Sequence, residues 1–173
     1  MDRSWLERSA VRYLQRYPAT VVRVRQVMWR RIKRNLDEQD GDSAALADLL
    51  EELLEKLQRT GHLDDLRQAG LWLDIWHRRG LSQPAMRAKL RHKGVPSGVV
   101  DEALSSFQEG GSDLEIEAAH NYARRRRLGP YRRDPEQRAE RRQRDLAAMA
   151  RNGFRYDLAR RVIDEVIDAD EGV

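Results

Sequence analysis

Cysteine is missing from the 173-residue chain. Its absence removes disulfides, thiolate nucleophiles and cysteine-type zinc sites, and it fits a reducing cytoplasm. Histidine is scarce: His62, His77, His92 and His120 stand alone, with no HExxH pair and no two of them four residues apart. A glycine-rich phosphate loop and a GxSxG turn are also missing. No apolar run approaches the ~18 residues that a membrane span needs. The amino terminus, Met1-Asp2-Arg3-Ser4-Trp5, puts charge where a signal peptide needs an apolar core. A soluble, cytoplasmic chain with no membrane attachment is expected. Aromatics are 6% of residues while charged residues are 36%, and mean hydropathy is −0.82. Those values suit thin helical layers with much solvated surface better than one thick core.

Lysine is rare as well. Only Lys33, Lys56, Lys89 and Lys93 are lysines among 33 basic residues, and the rest are arginine. The formal charge of +4 hides strong segmentation. Residues 1–36 carry a net +8, residues 37–65 a net −8, and residues 124–161 a net +9 from fourteen arginines against five acids. Such asymmetry bears on partners and association rates rather than on fold.

Apolar residues recur at helical spacing throughout. Ser4 with Glu7 reads as a capping box, followed by the stripe Leu6, Ala10, Tyr13, Leu14 and Tyr17, which Pro18 ends. Thr20 caps a second helix with the stripe Val21, Val24, Met28 and Ile32. Residues 37–43 form an acidic stretch expected to be mobile. A third helix carries Leu46, Leu49, Leu50, Leu53, Leu54 and Leu57 and closes at Gly61. Asp64-Asp65 open a fourth, where backbone dipoles favour negative charge. Its buried stripe is Leu66, Ala69, Leu73 and Trp76, with Trp72 and Ile75 flanking, and Gly80 stops it. Ser82 caps a short helix containing Pro84, Met86 and Leu90, stopped by Gly94. Val99, Val100, Ala103, Leu104 and Phe107 define the next, before a hinge at Gly110-Gly111.

The last third reads Ile116, Ala119, Tyr122 and Ala123, then a break at Gly129-Pro130. Asp134-Pro135-Glu136-Gln137 starts a helix that buries Ala139, Leu146 and Met149 and stops at Asn152-Gly153. Leu158, Val162, Ile163 and Val166 carry the final helix, followed by an acidic, frayed tail. Leu90-Arg91-His92-Lys93-Gly94-Val95 aligns with Met149-Ala150-Arg151-Asn152-Gly153-Phe154. Short helices in a repeated order, punctuated by glycines, predict tandem three-helix repeats that share their apolar faces. The expected fold is all-α: an elongated, curved array of three units and about nine helices, spanning 1–61, 62–111 and 112–173.

Catalytic chemistry finds little support. Asp64 and Asp65 form the one acid pair with any metal-binding look, and helix capping accounts for both. The leucine ladder from Leu46 to Leu57 covers two heptads and reads as core rather than zipper. Trp72 and Trp76 lie on or beside an apolar stripe, so core packing outranks base stacking. No enzyme, metal or cofactor is expected.

Arg124, Arg125, Arg126 and Arg127 cover just over one helical turn, so their guanidinium groups fan around the axis. Arg138, Arg141, Arg142 and Arg144 follow, with Asp145 placed to pair with Arg141 or Arg142. Guanidinium forks bind carboxylates or phosphates bidentately, so an acidic protein groove or a nucleic-acid backbone would fit. Signatures of base readout are missing, so any DNA contact should run to the backbone and depend steeply on salt.

The motif residues Leu63, Asp64, Asp65, Arg67 and Ala69, then Gly80, then Leu90 and Gly94, resemble the RecX family. Residues 10–17 match the family's opening helix and residues 146–162 its closing one, so the resemblance covers nearly the whole chain. Gln68 stands where the family has an aromatic, and Trp76 where it has an arginine. The resemblance implies three tandem three-helix repeats and a monomer that binds in the groove of RecA filaments on single-stranded DNA. It implies limitation of filament growth, ATP hydrolysis and strand exchange. Docking would then fall to Arg124–Arg127, Arg138, Arg141, Arg142 and Arg144, with Lys89, Arg91 and Lys93. The alternative is a protein that binds single- or double-stranded nucleic acid through backbone contacts without RecA.

Overall fold

A computed structural model describes residues 3–35, 43–109, 111 and 113–165. Among these there are nine α-helices and no strand. In order they are α1 (Arg3–Leu14), α2 (Val21–Asn35), α3 (Ser43–Arg59), α4 (Asp65–Arg78), α5 (Gln83–His92), α6 (Ser97–Gln108), α7 (Leu114–Arg126), α8 (Gln137–Arg151) and α9 (Tyr156–Ile163), with a 3-10 turn at Gly129–Tyr131. The acidic stretch expected to be mobile lies outside the described residues except for Ser43, which begins α3. Gly110, Val166 and the acidic tail also lie outside them.

By packing, the chain divides into two compact units: residues 1–69 with 90–103, and residues 70–89 with 104–173. The core of the first is built from the predicted stripes. Leu6 and Ala10 of α1, Val24, Met28 and Ile32 of α2, and Leu50 and Leu54 of α3 are all fully or almost fully shielded from solvent. The leucine ladder is therefore core, with Trp5 and Trp29 packed against it. In the second unit Ala119 and Ala123 of α7 meet Leu146, Met149, Ala159 and Val162 of α8 and α9. Trp72 and Trp76 are buried and stacked, their ring centroids 6.0 Å apart.

Four local readings need correction. Ser4 lies inside α1 rather than capping it, and Glu7 turns instead to Lys56 at 2.9 Å. Tyr17 falls beyond the end of α1 and is exposed. Leu66 is 37% exposed while Trp72 is buried. The reason is that Asp65 turns toward the start of α2, and Leu63 fills the core position at that end of α4. Ala139 is exposed because α8 presents Asp145 inward beside Leu146. At the start of α8, Asp134 still accepts from the Glu136 N–H at 3.0 Å and from the Gln137 side chain at 2.8 Å, although the helix proper begins at Gln137.

A pair of matching junctions organises the two units. In the first, Thr20 Oγ1 caps α2 by accepting from the Arg23 N–H at 3.2 Å, and it donates to the Lys93 carbonyl at 2.9 Å. The Val21 N–H, orphaned at the helix start, donates to Asp65 Oδ1 at 3.0 Å. In the second, Ser82 Oγ caps α5 by accepting from the Ala85 N–H at 3.3 Å and donates to the Asn152 carbonyl. The Gln83 N–H donates to Glu115 at 3.2 Å. Thr20 and Ser82 are both buried. Gly94 and Gly153 follow the accepting carbonyls with φ of +80° and +88°. A Cβ on Gly153 would stand 2.7 Å from Ser82 Oγ, so space as well as backbone conformation demands glycine there.

Replacing Thr20 by valine or Ser82 by alanine removes a cap and leaves a carbonyl unpaired. Each should cost about 2 kcal/mol, read as a lower urea midpoint at unchanged slope; a shift too small to resolve would show that the junctions carry no weight. Burial pushes the Asp65 carboxyl above its ordinary pKa, against the Val21 hydrogen bond and with help from Asp64. Glu115 is raised in the same way, against its bond from Gln83 and the influence of His77. Groups with raised folded pKa values support the fold most when protonated, and that support falls as pH climbs past about 4. Wild type should therefore lose stability relative to Asp65→Asn/Glu115→Gln between about pH 4 and the raised values. Parallel pH–stability curves for the two proteins would contradict this.

Candidate functional site

Electrostatics of the arginine-rich segment are decided by where each guanidinium goes. The four arginines at the end of α7 do fan out. Arg124 sits over the Tyr131 ring at 5.1 Å, and Arg125 donates to the Arg79 carbonyl at 2.7 Å. Arg127 takes a left-handed conformation (φ +54°) at the helix end, where its N–H bonds back to the Arg124 carbonyl. The side chains of Arg126 and Arg127 are exposed and make no ion pair or hydrogen bond among the described residues.

On α8 most arginines are held internally. Arg138 donates to the Pro130 carbonyl at 2.9 Å, and Arg141 Nε lies 3.6 Å from Glu140. Arg142 grips Asp164 through two bonds of 2.7 and 2.6 Å. That pairing raises the guanidinium pKa and lowers the carboxyl pKa. Arg144 is exposed with no such partner. Lys89 of α5 lies over the Trp76 ring at 5.6 Å. Arg91 and Lys93 are exposed and belong to the first compact unit, whereas Lys89 and the arginines of α7 and α8 belong to the second.

Asp145 departs most from expectation. It does not pair with Arg141 or Arg142; it is 2% exposed and accepts from Arg132 at 3.0 and 2.5 Å and from the Gly129 N–H at 2.8 Å. The cause is helical phase: Asp145 lies four residues before Met149 and next to Leu146, on the inward side of α8. Arg132 was not foreseen, and that phase was the signal for it, since a carboxylate on a core face demands a cation. The fork satisfies the charge, and the Gly129 bond fixes the loop after α7.

The motif residues serve packing. Leu63 and Ala69 are buried, Asp64 caps α4 by accepting from the Arg67 N–H at 2.9 Å, and Asp65 reaches α2. Leu90 is buried, and Gly80 and Gly94 adopt positive φ at helix ends. Among the described residues no group of three His, Asp or Glu side chains could hold a metal ion, and no helix is long and apolar enough to cross a membrane.

Breaking the Arg132–Asp145 pair leaves a partly desolvated cation without its counter-ion. Asp145→Ala should cost about 3 kcal/mol, the low end for a buried pair because Arg132 is partly exposed. Arg126→Ala and Arg144→Ala should stay within about 0.5 kcal/mol of wild type. Urea denaturation of the three variants checks the ranking, and equal losses would refute it.

No family model matches the chain. It is 38% identical over 161 residues to the regulatory protein RecX of Myxococcus xanthus, an alignment spanning 93% of this chain and 85% of the relative. It is 34% identical to regulatory protein RecX of Thermobifida fusca over 73% of this chain and 65% of the relative. The RecX protein of Agrobacterium fabrum is 29% identical over 92% of this chain and 82% of its own length. A crystal structure of regulatory protein RecX superposes with a TM-score of 0.63 at 22% identity, covering 94% of this chain and 72% of that one, and so shares the fold.

Proposed function

We propose, from the premise that the chain belongs to the RecX family of regulatory proteins, that it is a non-enzymatic modulator of the RecA recombinase. The observation that carries this reading is the 38% identity sustained over 93% of the chain. In the proposed mechanism three helical repeats, 1–61, 62–111 and 112–173, form a monomeric cytoplasmic scaffold. It binds in the groove of the RecA filament on single-stranded DNA and limits filament growth. Arg126, Arg127 and Arg144, with Arg91, are the cations best suited to make first contact, because no acid among the described residues pairs with them. Arg125, Arg138 and Arg142 would join only by giving up an internal partner. The same exposed guanidiniums also suit the second reading, backbone contact with nucleic acid in the absence of RecA.

Adding the protein to RecA on single-stranded DNA should lower ATP turnover and strand exchange, and Arg126→Glu/Arg144→Glu should weaken that effect by tenfold or more. Unchanged rates at saturating protein would end the RecA reading.

A further inference from the structure

Another cationic cluster lies in the first compact unit. The facing sides of α1 and α2 enclose a recess of about 530 Å³ lined by Arg8, Arg12, Arg31 and Arg34 together with Ser9 and Asn35, and edged by Trp5. No acid lines it. Arg8, Arg12 and Arg34 are exposed and make no side-chain ion pair or hydrogen bond among the described residues. Their neighbours differ: Arg3, Arg25 and Lys56 pair with Glu52, Glu51 and Glu7. Arg31 is set in place, donating to the Ser9 carbonyl at 3.1 Å and Ser9 Oγ at 2.6 Å while lying over the Tyr13 ring. Asn35 in turn donates to the Arg31 carbonyl at 2.7 Å.

Helix dipoles do not account for the cluster. Arg34 sits in the last turn of α2, where a cation is favoured. Arg8 lies in the first half of α1, whose first turn contains no acid to offset it. Four guanidiniums that converge with no carboxylate among the described residues repel one another, and an external polyanion relieves that repulsion. The polar residues among them point to phosphate. Serine hydroxyls and asparagine amides join arginine at phosphate oxygens, and Ser9 Oγ, accepting from Arg31, keeps its own hydrogen to donate. We infer that this recess between α1 and α2 binds the phosphates of a nucleic-acid strand, with Arg8, Arg12 and Arg34 as the contacting cations and Arg31 as a preset fourth. The inference does not depend on RecA.

Fluorescence anisotropy of a labelled oligothymidylate titrated with the full chain over a range of salt concentrations tests it. Arg8→Ala/Arg12→Ala/Arg34→Ala should bind at least tenfold more weakly at low salt. Its log–log salt slope should be shallower by about two, following from about 0.7 per phosphate contact on a single strand. Arg126→Ala/Arg144→Ala should alter the slope less. The lysine triple variant, which keeps the charge, should retain most of the slope and guards against a folding artefact. Wild-type affinity and slope in the alanine triple variant would overturn the site. Displacement of the strand by poly-glutamate as readily as by unlabelled oligonucleotide would overturn phosphate in favour of an acidic protein segment. Tighter binding of inorganic polyphosphate than of the oligonucleotide would overturn nucleic acid as the source of the phosphate.

Discussion

Everything in this chain depends on helix starts that cannot satisfy themselves. The first N–H groups of α2 and α5 have no partner within their own helices, and in both cases one of the missing acceptors arrives from a residue that comes much later. A hydroxyl at the cap bonds inward to its own helix and outward to a distant carbonyl, while a carboxylate takes the next N–H. These bonds are partly buried, so leaving them unmade is costly. Small helices with thin apolar faces are thereby fixed in one register that hydrophobic contact alone would not specify.

This arrangement also gives the residues that carry the family resemblance a structural role. Asp64, Asp65, Gly80 and Gly94 are needed to start, stop and join helices. Arg126, Arg127 and Arg144 take no part in these joints and are exposed. Arginine content alone overstates the cationic surface of residues 124–161. Arg132 neutralises a buried aspartate, and Arg142 holds the carboxylate of Asp164 beyond α9.

Much of the fold was legible in the residues because its determinants are local. The caps at Thr20 and Ser82, the leucine ladder of α3 and the matched turns at Gly94 and Gly153 follow from spacing and residue type. Leu66, Ala139 and Asp145 were misread because their orientation is set by partners far along the chain or by the phase of a helix too charged to show one clearly. The arginine partners were least legible. Arg125 finds a carbonyl 46 positions away and Arg142 a carboxylate 22 positions away, and no periodicity encodes such pairings.

The outward bond from Thr20 has a consequence in time. Its acceptor lies 73 residues downstream. At about 5–20 residues per second, synthesis needs roughly 4–15 s to deliver that carbonyl after the threonine is made. Until then α2 has a cap but no anchor, and Val21 lacks its acceptor until Asp65 arrives. The start of α2 thus waits for residues of the chain that are made later. Ser82 repeats the delay with Asn152, whereas Asp134 draws on Glu136 and Gln137 beside it and can close as soon as it is made.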